Sequence, residues 1–295
     1  MNEKVLFDTD IGSDIDDALA LAYLLKEPRC ELLGVTTVTT FPERRAEMCS
    51  VLCRHAGRPD IPIHVGASQA LMTDYLQKTA DQAAAVSGWD HAAFAKDNTA
   101  VEFLHRTILA HPGEVTLLAV GPLTNVALLF MTHPEAAARL KRLVLMSGRF
   151  GHGGGAEWNV RNDAHAAAVV YGNFFQSRPP LHFSCGLDVT TQCMLTRDEA
   201  RRKFGDHAVL APVRDFAEVW FERASHVVFH DPLAAVCVFD PDVCTWRDAR
   251  VVVSTTPPTN GVTVPFYNEP DLPHKIAEKV DSARFFDRYF STLAL

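Results

Sequence analysis

The 295-residue chain lacks the features that mark secreted and membrane proteins. Its seven cysteines form no CxxC pair, and Cys49 and Cys53, four apart on a predicted helix, are typical of core packing rather than metal binding. No apolar run reaches transmembrane length, and no signal-peptide core follows the N-terminus. We therefore expect a reduced, cytoplasmic protein with no membrane partner.

Strong positive charge is also absent. The formal net charge is −8, and the densest basic run, Arg201-Arg202-Lys203, is typical of a solvated helix face. Nucleic acid is thereby excluded as the main partner. The chain has neither a GxGxxG nor a P-loop motif. What remains is an ordinary globular composition, 47% apolar and 22% charged, which permits a large core.

Short apolar runs alternate with helical patterns over the first two thirds of the chain. Strands are predicted at 5–7, 31–38, 62–65, 115–120, 143–146 and 181–185, and helices at 16–26, 43–56, 98–110, 123–140 and 163–171. This alternation predicts βαβ crossovers and an α/β fold, an open, mostly parallel sheet with helices on both faces.

The last third of the chain is less regular. Helices are predicted at 197–204, 213–223, 230–238 and from 282, and strands at 250–253 and 261–264. No internal repeat or Pro/Gly/Ser-rich linker interrupts the chain. We therefore expect one domain that spans residues 1–295.

The most informative segment follows the first predicted strand. It places five carboxylates within ten residues: Asp8, Asp10, Asp14, Asp16 and Asp17. One or two acids at a helix start would be explained by capping and by the helix dipole. Five repel one another, and only a cation or a proton relieves that repulsion. Carboxylate oxygens suit Ca²⁺ or Mg²⁺ better than zinc, so the segment predicts a metal site at the carboxyl edge of the sheet.

The same segment resembles the N-terminal signature of the inosine-uridine-preferring nucleoside hydrolase family, an Asp-x-Asp-x-Gly stretch running into Asp-Asp-Ala. Three further segments match in order: Gly121-Pro122-Leu123-Thr124-Asn125, Glu157-Trp158-Asn159 followed by Asp163, and His230-Asp231-Pro232. The resemblance spans nearly the whole chain. It implies a Rossmann-like nucleoside hydrolase fold and Ca²⁺-dependent hydrolysis of ribonucleosides to ribose and free base. We also expect a homodimer or homotetramer.

The resemblance implies one Ca²⁺ at the bottom of a pocket. Asp10, Asp17 and Asp231 match its carboxylate ligands, and Val120 matches the residue whose main-chain carbonyl completes the set. Asp10 also matches the base that removes a proton from the attacking water. By itself Asp231, followed by a proline, would favour a helix cap; the N-terminal acidic cluster makes a ligand the better interpretation.

The other carboxylates of the segment have alternative assignments. Asp16 matches the acid that binds the ribose diol. Asp14 and Ile15 look like a two-residue insertion into the family motif, so Asp14 is the substitute ligand if that register is wrong. Asp8 is expected to lie behind the ligands and support them.

Further positions match residues that bind the sugar. Glu157 and Asn159 match contacts to the ribose hydroxyls, and in an extended segment they would share one side, with Trp158 on the other. This polar pair belongs with the glycine-rich loop 151–155, and Met146, at the end of its strand, resembles a pocket residue that packs near the sugar. Asp163 is expected to cap the next helix. Four aromatic residues are candidates for base stacking, although each is more often simply packed: Trp89, Phe94, Phe150 and Trp220.

Two departures from the family pattern predict changed ribose contacts. Many members carry a pair such as Gly-Asn after Thr-Thr-Val, whereas this chain continues with Thr39, Thr40 and Phe41. A ribose contact is therefore lost there or supplied by Thr40. The loop between Met146 and Glu157 is short and lacks an asparagine expected near the 5′-hydroxyl.

The chemistry of N-riboside hydrolysis assigns three tasks to these residues. Asp10 would activate water, and the ring of carboxylates would stabilise the positive charge that develops on the sugar. His230, with an imidazole that ordinarily titrates near neutrality, would protonate the departing base.

Two other functions compete with this interpretation. Phosphatases of the haloacid dehalogenase type also begin with Asp-x-Asp after a strand, but they expect Thr or Val where this chain has Gly12. They would also leave the Glu157 and His230 segments unexplained. A non-catalytic nucleoside- or sugar-binding protein of the same fold is the second alternative.

Overall fold

The predicted alternation of strands and helices is present in the computed structural model, which describes residues 2–151, 155–172 and 180–294. The strands are β1 Glu3–Thr9, β2 Cys30–Thr37, β3 Ile63–Val65, β4 Val115–Ala119, β5 Arg142–Met146, β6 Leu181–Cys185, β7 Met194–Thr196, β8 His226–Val228, β9 Cys244–Val253, β10 Thr263–Phe266 and β11 His274–Val280.

Helices connect most of these strands. They are α1 Asp16–Lys26, α2 Pro42–His55, α3 Ala100–Ala110, α4 Thr124–Thr132, α5 Pro134–Ala138, α6 Trp158–Asn162, α7 Ala164–Gly172, α8 Leu187–Thr190, α9 Arg197–Gly205, α10 Ala211–Phe221, α11 His230–Phe239 and α12 Ser282–Leu293. Short 3-10 helices lie at Asp81–Gly88, Ala208–Leu210 and Pro241–Val243. No helix within these described ranges is long and apolar enough to cross a bilayer.

Nine of the strands form one sheet in the order β10-β9-β11-β6-β5-β4-β1-β2-β3. Seven neighbouring strands pair in parallel, in the order β11-β6-β5-β4-β1-β2-β3. Strand β9 pairs antiparallel with both β11 and the edge strand β10, and β7 and β8 form a separate antiparallel pair. The order reverses direction between β1 and β4, which is where doubly wound sheets bind their ligands.

Side chains of the central strands alternate between two cores, one on each face of the sheet. Along β1, Val5 and Phe7 join the core beneath α1, α2, α11 and α12, whereas Leu6 joins the core beneath α3, α4 and α7. Strands buried on both faces consist of nearly continuous apolar residues, which explains their strong sequence signal. The predicted fold class, a mostly parallel sheet with helices on both faces, is confirmed.

Several local predictions differ from the structure. The helix predicted at 123–140 is two helices, because Pro134 cannot continue the helix that ends at Thr132. The segment that begins at Glu157 is helical rather than extended. Strand β11, which lies inside the sheet, had no counterpart among the predicted strands. Of the glycine-rich loop 151–155, residues 152–154 lie outside the described residues.

Candidate active site

The loop after β1 turns the chain sharply so that α1 can begin at Asp16. Gly12 makes this turn at a φ of +118°, and a Cβ there would lie 2.9 Å from the Met48 sulfur, so the position needs glycine. The N-cap residue of α1 is Ile15, which makes no side-chain capping bond. Asp16 and Asp17 therefore lie in the first turn, where the helix dipole favours acidic residues, and neither serves as the N-cap.

Three buried carboxylates converge at the start of α1. Single oxygens of Asp16, Asp17 and Asp231 lie within 4.8 Å of one another. The Asp231 amide donates to Asp16 Oδ2 over 3.3 Å, and the Thr9 hydroxyl donates to Asp17 Oδ1 over 2.5 Å. Burial first, and then repulsion between like charges, raises the pKa of all three carboxyls well above the ordinary value. Such a group is relieved by a bound cation.

Asp10 and Asp14 line the same cavity as these three carboxylates. Burial raises the pKa of Asp10 to about 6 and that of Asp14 to about 7. Gly121 permits the β4 turn to pass close to Asp10, because a Cβ there would lie 2.8 Å from Asp10 Oδ1. Asp8 faces away from the cavity, where its carboxylate accepts hydrogen bonds from Thr36 and Asn125.

The ends of β4 and β5 supply main-chain oxygens to the cavity. Val120 and Met146 both line it. Asn159 Nδ2 donates to the Val120 carbonyl over 2.6 Å and to the Met146 carbonyl over 3.2 Å. Asn159 therefore connects α6 to two neighbouring strand ends.

Glu157 is the N-cap of α6, and this explains why the segment is helical rather than extended. Its carboxylate accepts hydrogen bonds from the amides of Asn159, Val160 and Gly148, at 2.7, 3.1 and 3.2 Å. Burial raises its pKa to about 7. Because α6 starts here, Trp158 does not point away from the site; it lines the cavity together with Glu157 and Asn159.

His230 lies beside Asp231 at the start of α11 and lines the cavity. Its Nδ1 is 2.7 Å from the Thr190 hydroxyl. Burial lowers the pKa of the imidazole to about 4. The expectation of titration near neutrality was wrong for this site, because the surrounding protein disfavours the charged form.

The cavity has a volume of about 540 Å³, which suits a small molecule. Of the four aromatic candidates for base stacking, Trp220 lines it. The other three are described residues that do not: Trp89 donates to Asp215, Phe150 packs against Gly148 and Gly186, and Phe94 lies elsewhere. Asp163 caps α7, as predicted from the sequence, by accepting from the Ala166 amide.

Several residues of the site had no signal in the sequence. Arg223, Gln77 and Lys78 line the cavity, and Arg45 is buried directly beneath it. Arg45 directly follows Arg44 on a helix with several charged residues, so nothing in its spacing distinguishes it from a surface residue. Thr40, proposed to replace a ribose contact, instead donates its hydroxyl to the Gln77 carbonyl.

The donors at the cavity floor fit a hard divalent cation. Asp16, Asp17 and Asp231 provide carboxylate oxygens, Val120 a carbonyl, and Asp10 a further carboxylate in the same cavity. All are oxygen ligands, as Ca²⁺ and Mg²⁺ prefer.

A mostly parallel sheet with an acidic, oxygen-lined cavity at its switch point places the chain among the α/β proteins that bind a small ligand at the carboxyl edge of the sheet. The family model described as inosine-uridine preferring nucleoside hydrolase matches residues 5–287. The chain therefore belongs to the inosine-uridine preferring nucleoside hydrolase family and is an N-glycosyl hydrolase, as the sequence predicted.

Individual relatives agree with this assignment. The chain is 32% identical to uridine nucleosidase 1 of Arabidopsis thaliana over 273 residues, which cover 86% of this chain and 79% of that protein. It is 35% identical to the pyrimidine-specific ribonucleoside hydrolase RihA of Klebsiella pneumoniae, over 89% of this chain and 88% of that protein. The crystal structure of an inosine-uridine preferring nucleoside hydrolase from Bacillus anthracis is 26% identical and superimposes over 99% of both chains with a TM-score of 0.79. The phosphatase alternative is not favoured.

Proposed function

We propose that the chain is a Ca²⁺-dependent ribonucleoside hydrolase that releases ribose and free base. The observation that carries this proposal is the convergence of Asp16, Asp17 and Asp231 at the floor of a cavity that Asp10 also lines. Ca²⁺ bound by Asp10, Asp17, Asp231 and the Val120 carbonyl would supply Lewis acidity toward water and anchor the sugar.

Asp10 acts as the general base in this proposal. Its carboxylate lines the cavity together with the proposed metal ligands, where it would accept a proton from a water molecule held beside it. The buried Arg45 guanidinium favours that role, because its positive charge lowers the pKa of Asp10 and so opposes the effect of burial.

The ribose is held by the remaining floor residues. Asp16 would accept hydrogen bonds from the sugar diol, and Glu157, Asn159 and Met146 would border the ring. Glu157 and Asn159 are fixed by the hydrogen bonds that start α6, so their orientation is set before a substrate arrives. Asp14 is the substitute for Asp16 or Asp17 in this assignment.

The base would lie against His230, Trp158 and Trp220, which line the cavity together with the floor residues. His230 would protonate the departing base as an imidazolium whose Nδ1 is held by Thr190 and which returns to the neutral ring on giving up its Nε2 proton. The names of the two relatives point to uridine and other pyrimidine ribonucleosides as the first substrates to test.

Three broader expectations remain part of the proposal. They are a single domain over residues 1–295, a homodimeric or homotetrameric assembly and a cytoplasmic location.

The decisive experiment is a panel of ribonucleosides incubated with the protein and Ca²⁺, scored for release of ribose and free base. We expect uridine and inosine to be cleaved and the matching 2′-deoxyribonucleosides to react roughly 10⁴-fold more slowly, because a site built around a hydroxyl rejects its absence. Equal turnover of the two sugars would contradict the diol contact. Tight binding without turnover would support the non-catalytic alternative, and p-nitrophenyl phosphate serves as the control for a phosphatase.

A further inference from the structure

A fully buried arginine lies beneath the carboxylate floor. Arg45, on α2, has no exposed surface. Its guanidinium donates to the main-chain carbonyls of Asp10, Ile11, Thr40 and Thr79, with the Ile11, Thr40 and Thr79 bonds at 2.8, 2.9 and 2.9 Å. Buried arginines are rare unless they are paired, so this one needs an explanation.

The four carbonyls belong to three separate loops at the carboxyl edge of the sheet. Asp10 and Ile11 lie in the loop after β1, Thr40 in the loop after β2, and Thr79 in the segment after β3. A planar guanidinium has five donors arranged as a fixed fork, and a single one can therefore bind all three loops at once.

The backbone around Thr40 is held in an unfavourable conformation. Thr39 and Phe41, on either side of it, have φ angles of +77° and +58°. Left-handed backbone is unfavourable for a residue with a Cβ, and such residues persist where surrounding contacts hold them. Here the Thr40 carbonyl, between these two residues, accepts a hydrogen bond from Arg45 Nε.

Arg45 does not itself line the cavity. It contacts the backbone of Asp10, the residue whose carboxylate does. Its positive charge also lies close to the carboxylates of Asp10 and Asp17.

We propose that Arg45 is a positioning residue: its guanidinium fixes the loop after β1 against the two neighbouring loops and so sets the affinity of the floor for a divalent cation. This inference rests on the proposed metal site. The proposed role of Arg45 is geometric rather than electrostatic, because the donors of its guanidinium fix the position of the Asp10 backbone.

The substitution Arg45→Lys separates geometry from charge. A lysine keeps the positive charge, but its three donors radiate from one nitrogen and cannot reach carbonyls in three loops. Arg142 offers a matched control at the amino edge of the same sheet. Its guanidinium donates to Thr116, Glu3 and the Val238 carbonyl, far from the carboxylate floor.

The experiment measures Ca²⁺ binding to chelator-treated protein by calorimetry, together with kcat and KM for uridine. We expect Arg45→Lys to weaken Ca²⁺ binding at least about 10-fold and to lower kcat more than it raises KM, as for supports that orient metal ligands. Arg142→Lys should lower the melting temperature and leave Ca²⁺ affinity within about threefold.

Equal Ca²⁺ affinity and kinetics in Arg45→Lys and the unaltered protein would show that Arg45 is only structural. If Arg45→Lys does not fold, Ser13→Ala decides the question, because the Ser13 hydroxyl accepts from Arg45 Nη1 over 3.2 Å within the same loop. We expect weaker Ca²⁺ binding in that variant, and unchanged binding would overturn the proposal. Absence of Ca²⁺ binding by the unaltered protein would instead overturn the metal site on which the proposal rests.

Discussion

Two regions of this molecule bury ionisable side chains, and they do so with opposite results. At the carboxyl edge of the sheet, Asp16, Asp17 and Asp231 lie together, and burial and mutual repulsion raise the pKa of each. Between β6 and β11, His182 and His274 pack with ring centres 4.6 Å apart, and burial lowers the pKa of both.

The hydrogen bonds made to the imidazole pair suit its neutral form, although the buried His274 Nε2 has no partner among the described residues. His182 Nε2 is 2.9 Å from the Ser184 hydroxyl, which is 2.8 Å from the Tyr171 hydroxyl. The Val251 amide donates to His274 Nδ1 over 3.0 Å. The carboxylates have no such arrangement: losing their protons leaves several like charges in one cavity. The comparison shows that burial of a titratable group does not by itself indicate a site; convergence of like charges on a cavity does.

Removing one floor carboxylate should have the largest effect. Asp231→Asn should lower kcat/KM for uridine by about 10³-fold or more, because a cation ligand is lost. In the presence of a chelator the same variant should be more stable than the unaltered protein, since a buried repulsive charge is removed. Activity assays and denaturant unfolding with chelator measure the two effects.

The matched control is Asp163→Asn, a buried carboxylate that accepts from the Ala166 and Leu71 amides instead of facing other acids. It should lose stability under the same conditions. If Asp231→Asn were also destabilised in chelator, the carboxylate floor would not be a repulsive cluster, and the comparison would fail.

A third buried imidazole, His230, belongs to the floor rather than to the neutral pair. His230→Ala should slow inosine hydrolysis by roughly 10²-fold, because the departing base loses its proton donor. Hydrolysis of a p-nitrophenyl riboside should slow little, because p-nitrophenolate is a stable leaving group that needs no proton. Equal losses on the two substrates would assign His230 to sugar binding or structure.

The imidazole pair should affect stability with pH and leave activity alone. His274 has a folded-state pKa of about 4 against about 6.5 when unfolded, so below pH 6.5 the unfolded state binds more protons. Stability is therefore lost as pH falls from 6.5 toward 4, by about 2 kcal/mol at pH 5 from this residue. His274→Gln should flatten the dependence of the unfolding free energy on pH between 7 and 5. An unchanged slope would show that His274 is not held neutral.

The smallest effect is expected at the mouth of the cavity. Trp220→Ala should raise KM for uridine about 3- to 10-fold with little change in kcat, because stacking contributes to binding and not to the chemical step. Trp89→Ala is the control, since that ring lies outside the cavity. A large fall in kcat for Trp220→Ala would place the ring closer to the reacting atoms than proposed.

The sequence predicted the floor because its residues follow one another. Asp10, Asp16 and Asp17 lie in the loop after an apolar strand and at the start of the next helix. These residues are close in the sequence, so the pattern can be seen without knowledge of the fold. The register of that segment was left open, and the structure brings Asp16 and Asp17, rather than Asp14, together with Asp231. The central strands were equally predictable, since burial on both faces leaves continuous apolar runs.

Other features depend on contacts between distant segments, which no local pattern encodes. Strand β11 is rich in charged residues and is recognisable as a strand only beside β6 and β9. The role of Arg45 depends on carbonyls more than thirty residues away in the chain. The helical start at Glu157 depends partly on groups outside the helix, since its carboxylate also accepts from the Gly148 amide and Asn159 donates to the Val120 and Met146 carbonyls.

The central claim is that the carboxylate floor binds the cation on which hydrolysis depends. Its most direct test is a Ca²⁺ titration of chelator-treated protein in which heat of binding and rate of uridine hydrolysis are followed in parallel. The account predicts one Ca²⁺ per chain and a rate that rises with the same midpoint as binding. Full hydrolytic activity in the chelated protein, or binding that leaves the rate unchanged, would contradict it.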